Sequence, residues 1–496
     1  MSCFHSAAAA IAGFTLLLPL CSTLRGQELG STYTLDQIGR RPDQPEKAAP
    51  EIPSFPIRGE GTPALEHRLW LSDGSLKPGS AQVHFGRALT MWNMLGKEKR
   101  NEIQQNWGDD VEIPLEKRRE YVKSLDWVYG ELHLLAIAED QSYDLRLKDK
   151  SGLEVFTMLL PEIQQSRELA RCLGHKFRVQ IADGDVEGAV STLRDGFRLG
   201  AFIGQGKTLV QSLVGLAIQS ILLEESFALL ELEEVPNMYW AYATLPRPLV
   251  NMQAPVEFEM EAIGRVFPIF EIAESEEHDE SYWNSQWAKM AGELSELSGA
   301  PNQSQRAALA LIGVAGGEKT RQRLIESGMD SKRVAAMPLM QAVLIDTSRE
   351  LKRASQDLLK AQYLPAPLRK GVLERENEKF RNWLKEETLT SPAAVVAGML
   401  LPALLAVDEA VTHKEYVVNR IMTAEAVRMH AHANGGELPE TLDELVLAPA
   451  LPDPYTGKHF GYSVEKQSGG TLVTLTGDVP QRMKEEFGKL QFLLVP

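Results

Sequence analysis

At 496 residues, with 44% hydrophobic and 24% charged side chains, the chain has room for two or three folding units, and its ordinary composition excludes a disordered or fibrous protein. Its 68 Asp and Glu against 52 Lys and Arg leave a formal charge of -16, which repels a phosphate backbone and argues against nucleic acid as a partner. Residues 1–26 have the shape of a signal peptide: a short polar start, an apolar run from Ala7 to Leu20, then Ser22, Thr23 and Arg25. The run is too short for a permanent span, so removal between Ser22 and Gln27 and no retained transmembrane helix are expected. Residues 27–63, with Pro42, Pro45, Pro50, Pro53, Pro56 and Pro63, read as a disordered or extended linker.

A helical body is expected over residues 64–400. Trp70, Phe85, Leu89, Trp92, Tyr121, Trp127, Tyr129 and Leu132 recur at roughly helical spacing. Gln165 to Ile181 presents Leu169, Cys172, Leu173 and Phe177 on one face. Asp183-Gly184 breaks that pattern, and Asp185 can cap a second helix through Leu193 and Phe197. An apolar third helix from Leu209 to Leu230 belongs at the centre of the core. Residues 236–258 combine prolines with Tyr239, Trp240 and Tyr242, which predicts a packed irregular connection. These three aromatics are also the surface expected to meet a protein partner.

The last part, residues 401–496, changes character. A long helix of roughly Ala403 to Ala433 ends at Asn434-Gly435-Gly436. A short helix within Leu438 to Leu445 follows, and alternation in His459 to Val464 and Thr471 to Leu475 predicts a β-hairpin. The fold expected is mainly α, a multi-helix body with a small C-terminal α+β unit of long helix plus β-hairpin.

Candidate chemistry is sparse. Cys3 and Cys21 fall in the signal, and Cys172 lies in a helical pattern that suits a buried, inert thiol. Lipid attachment at Cys21 lacks the small residue it wants, since Leu20 precedes it. Ala201 to Thr208 fits a loose nucleotide-loop pattern, but a helix rather than a strand precedes it, so no nucleotide is expected. His413, His430, His432 and His459 share the C-terminal part, yet His430 and His432 point to opposite sides of a helix and no HExxH stretch exists. The acidic run Glu271 to Glu280 and Asp453 of the D-P-Y-T-G loop suit solvation and turn capping better than calcium. No metal, cofactor or catalytic residue is assigned.

Val411 to Thr476 resembles the soluble end of type II secretion pseudopilins, in which a long helix leads to a leucine-proline turn, a D-P-x-x-G loop and small strands. Over about residues 160–476 the chain resembles a large uncharacterised family of exported, mainly helical bacterial proteins. That resemblance rests on Gly184-Asp185 with Ala189, Thr208-Leu209-Val210, Tyr239-Trp240 with Leu245-Pro246-Arg247-Pro248-Leu249, Met337-Pro338, Leu401-Pro402-Ala403-Leu404 and Asp453-Pro454-Tyr455-Thr456-Gly457. It implies export and a helical fold and transfers no catalytic residue. The leading expectation is a structural or interaction module of the cell envelope or periplasm, or one released outside the cell, with a protein or envelope partner. Two others stand beside it. An exported hydrolase would need a concave pocket holding at least two acidic or histidine side chains. A pilus- or secretion-associated component would need the N-terminal helix retained, although Leu18 stands where prepilins carry Glu.

Overall fold

The computed structural model describes residues 52–105, 113–143, 160–258, 267–297, 312, 314, 316–364, 366–387, 390–400, 402–480 and 483–496. The expected signal, residues 1–26, lies outside them. The fold is mainly α with a minor β part, as the periodicity predicts.

Two units form, and their boundaries differ from the expected ones. The larger draws on Thr32–Leu145, Leu159–Met252 and Glu409–Pro496, the smaller mainly on Gln253–Asp408. The C-terminal part is therefore not a domain of its own. From Glu409 onward it belongs with the first helices, because its long helix is bonded through side chains to the segment 237–247.

In the larger unit the helices are α1 (Ala81–Met94), α2 (Lys97–Gln105), α3 (Leu115–Ser124), α4 (Asp126–Ile137), α5 (Leu160–Ala182), α6 (Val186–Gly204), α7 (Leu209–Ser226) and α8 (Tyr239–Ala243). The turn between α5 and α6 works as the Asp-Gly pair dictates. Gly184 takes a φ of 72°, and the Asp185 carboxylate accepts the Gly188 N–H at 2.9 Å. Thr208 and Gln211 close a capping box at the start of α7. Leu209–Glu231 is long and apolar enough to cross a membrane, but most of it is buried inside this unit, where it packs on α5 and α6.

The helices α6 and α7 cross where neither has a side chain. A Cβ built on Gly215 would stand 2.5 Å from both the Gly200 carbonyl oxygen and the Gly204 Cα. The two backbones touch there, so only glycine fits.

The smaller unit is built around α12 (Leu339–Leu359), against which α9 (Ile269–Ser275), α10 (Glu280–Leu297), α11 (Gly317–Glu326), α13 (Ala366–Glu387) and α14 (Pro392–Leu400) pack. Its apolar face carries Val343, Leu344 and Leu351. Arg323 of α11 clamps the buried Asp346 through three contacts of 2.6 to 3.1 Å. Thr320 adds a hydroxyl to the same carboxylate at 3.2 Å.

The long helix α15 (Pro402–Ala433) ends as expected: Gly435 and Gly436 have φ of 66° and 96°, and the Gly436 N–H reaches the Ala431 carbonyl. The hairpin is also present, as β4 (Gly461–Gln467) antiparallel to β5 (Gly470–Thr476). It is part of a larger sheet. β6 (Lys489–Val495) pairs antiparallel with β5, and β1 (Ser54–Pro56) pairs parallel with β6, in the order β1-β6-β5-β4. The segment expected as linker up to residue 63 thus holds a docked strand from Ser54. Phe55 is 0% exposed and stacks on Phe492 with ring centres 4.8 Å apart, which gives this short strand its hold. A second, two-stranded parallel sheet joins β2 (Lys77–Ser80) to β3 (Ala138–Asp140).

Beneath β1 lies a buried ion pair. Arg428 donates to the Glu425 carboxylate at 2.7 Å and to the Pro56 carbonyl at 2.9 Å. Burial pushes the Glu425 carboxyl above its ordinary range, while Arg428 pulls it back down. Asn237 spans the same region, donating to the Glu425 carbonyl at 2.7 Å.

Candidate functional site

A cleft of about 640 Å³ lies in the larger unit between α1, the start of α5 and Tyr143. Its long wall is one face of α1. Gln82, Phe85, Gly86, Leu89, Thr90, Asn93 and Met94 recur every three or four residues, the spacing that aligns side chains along a helix. Phe85 and Leu89 turn inward to the core, while Gly86, Thr90 and Asn93 remain exposed. From α5 come Glu162 and Gln165, three residues apart and so on the same side.

An aromatic cluster forms the floor. Tyr143 stacks on Phe202 at 5.1 Å and meets Phe85 edge-on at 5.8 Å, and Phe85 lies 5.6 Å from Phe202. Burial pushes the Tyr143 hydroxyl above the ordinary phenol range, and Glu162, 3.4 Å away, adds to that shift. It stays a neutral donor at any physiological pH.

Amides line the rim. Asn93 and Gln165 exchange hydrogen bonds of 3.1 and 3.3 Å across the gap from α1 to α5. Arg100 Nη1 on α2 donates to Asn93 Oδ1 at 2.7 Å and holds that side chain in place. Just behind, Trp92 donates to Glu168 at 2.7 Å, which fixes α1 against α5. Met94 is 81% exposed at the mouth, an apolar side chain that water covers unless something docks.

This arrangement offers an apolar floor and hydrogen-bonding edges to a ligand. Among the described residues of the lining, Glu162 is the one carboxylate and there is no histidine. Among the described residues, no group of three His, Cys, Asp or Glu could hold a metal ion.

Residues singled out from the sequence lie elsewhere. Tyr239 and Tyr242, expected at a partner surface, are 2% and 0% exposed. Their hydroxyls are spent on the Pro449 carbonyl and the Ser226 side chain, both at 2.8 Å, and Trp240 between them is half-buried against the Tyr239 ring. Tyr239 and Tyr242 join the prolyl segment to the core rather than standing at a surface, so for these two the partner-surface expectation is corrected, whereas Trp240 keeps part of its ring exposed. Ala201–Gly204 are helical and the Thr208 hydroxyl caps α7, so the loose nucleotide pattern is a helix-to-helix turn. His413 packs against Phe487 with ring centres 4.4 Å apart, and His459 pairs with Asp443 at 3.1 Å. Asp453 accepts the Tyr455 N–H at 2.8 Å and the Asp478 N–H at 2.9 Å, which ties its loop to the end of β5. Cys172 is buried and its thiol is pushed up by desolvation, as an inert cysteine's should be.

Sequence reasoning passed over the cleft because Gln, Asn and Thr form no motif. The available signal was polar residues on the same helical face as Phe85 and Leu89, with Met94 beside them. No family model, curated protein or solved structure matches the chain.

Proposed function

We propose that this is a non-enzymatic, exported helical protein that acts as an interaction module in the cell envelope or periplasm, and that the cleft between α1 and α5 receives a group of its partner. The observation that carries this reading is the cleft's make-up among the described residues: an aromatic floor, a rim of amides and a hydroxyl, an exposed Met94, and the Glu162 carboxylate. Such a lining favours a ligand with an apolar body and hydrogen-bonding edges. The signal-like stretch of residues 1–26 supports export.

Gly86 allows a clean test. A Cβ built there meets nothing within 4 Å, so Gly86→Trp projects a large ring into the cleft without disturbing the wall behind it. Saturation-transfer NMR with N-benzylacetamide, which pairs an aromatic ring with an amide, should give signal for the wild type and none for Gly86→Trp. Equal signal from both proteins, or none from either, removes the cleft as the binding element.

A further inference from the structure

Behind the cleft, α2 and α3 are fastened to α5 at a buried histidine. His175 is 0% exposed. Its Nδ1 lies 3.0 Å from Arg118 Nη1 of α3, and its Nε2 3.4 Å from the Ile103 carbonyl of α2. A guanidinium only donates, so Nδ1 is the acceptor, and the ring's one proton sits on Nε2, facing that carbonyl. The geometry demands a neutral imidazole.

The charged groups around it reinforce the demand. Burial first, then Arg118 and Arg178, hold His175 down at about 4. Arg178, on the same helix, is engaged by Glu225 of α7 through two bonds of 2.7 and 2.8 Å. Tyr121 of α3 stands edge-on to the imidazole at 5.4 Å, and its hydroxyl donates to Glu102 of α2 at 3.2 Å. Glu102 is in turn paired with Lys117 at 2.8 Å and Lys99 at 3.1 Å. A second proton on His175 would replace the acceptor that Arg118 uses with a donor, and would set two cations 3.0 Å apart inside the protein.

The same α2 carries Arg100, which grips Asn93 on the cleft rim, and Gln104, which donates to the Glu168 carbonyl of α5 at 3.3 Å. We propose that His175 is an acid-operated latch: neutral, it fastens α2 and α3 to α5, and protonated, it releases both together with the hold of Arg100 on the rim. The link to the rim rests on the cleft being the binding element, whereas the latch stands without it. A released imidazole titrates near its ordinary value of about 6.5 and the latched one lower, so release takes up a proton. The latch is therefore at full strength above about 6.5, weakens as the pH falls, and is lost as it passes through the latched value.

Hydrogen exchange of the full chain, read by mass spectrometry at pH 7 and pH 4 and corrected for intrinsic rates, tests this. Residues 97–105 and 115–124 should lose roughly ten- to a hundredfold in protection at pH 4, while α6 and α7 keep theirs. In His175→Gln the amide can accept from Arg118 and donate to Ile103 without titrating, and His175→Asn is a shorter second version; either variant should hold its protection at pH 4. Equal protection of wild-type α2 and α3 at both pH values overturns the latch, as does a loss in the variants as large as in the wild type. N-benzylacetamide binding at pH 7 separates the two readings: its absence removes the cleft and leaves the exchange result to judge the latch alone.

Discussion

Alanine for glycine normally steadies a helix by about 1 kcal/mol, and α1 and α7 offer the same substitution in opposite surroundings. At Gly86 the new methyl enters open space, so Gly86→Ala should gain about 0.5–1 kcal/mol. At Gly215 it would meet the Gly200 oxygen and the Gly204 Cα at 2.5 Å and the Gly204 nitrogen at 2.7 Å, where ordinary contact begins at 3.4 Å. All three are backbone atoms of α6 that no side-chain rotation can move. The helices must part by roughly 1 Å, and overpacking of this kind costs about 1–3 kcal/mol. After the propensity gain is subtracted, a net loss of about 0–2 kcal/mol, centred near 1, remains. Urea unfolding followed by circular dichroism reads both variants as midpoint shifts of opposite sign. A Gly215→Ala midpoint at or above the wild-type value would mean that α6 and α7 do not touch through their backbones, and would refute the reasoning.

Three further outcomes are expected. Glu425→Ala and Arg428→Met should each cost about 3–5 kcal/mol by stranding a buried charge, whereas Glu425→Leu with Arg428→Met should cost much less than the two together; additive urea midpoints would show that the pair does not act as a unit. Phe55→Ala should cost about 3–5 kcal/mol, a large loss for a residue in a proline-rich stretch, and an unchanged midpoint would detach β1 from the sheet. His133, whose Nδ1 lies 3.2 Å from both oxygens of Asp195, is raised by that hydrogen bond. Its NMR titration midpoint should lie above that of an Asp195→Asn variant. The stabilisation it brings is present below about 6.5 and fades as the pH rises through its folded value, and a variant midpoint equal to the wild type's would exclude the pairing.

The parts of this fold that were legible in the sequence are those whose signals are local. The α5–α6–α7 succession shows in its 3.6-residue period and in the Asp-Gly break, and the β4–β5 hairpin shows in its alternation, because each element meets its nearest neighbour in the chain. What escaped was non-local. Ser54–Pro56 is three residues long and ends in proline, and nothing near it announces a parallel partner at Leu493–Val495. Lys489–Val495 is a short apolar run that serves equally well as buried helix or strand. Glu425 and Arg428 read as the polar side of an amphipathic helix, and only β1 lying across them makes that side interior. Tyr239 and Tyr242 misled for a related reason: aromatics among prolines advertise either a docking patch or a packed seam, and the choice depends on whether a carbonyl lies within reach of each hydroxyl.

The position of β6 bears on how the chain comes into being. Lys489–Val495 is far from β1 along the chain, yet it lies between β1 and β5 and supplies the pairing of both. Until it emerges, β1 has no strand to dock against and β5 offers a bare edge, two open templates for other chains. The sheet cannot close before β6 has been made, and its pairing with β1 closes a long loop of chain.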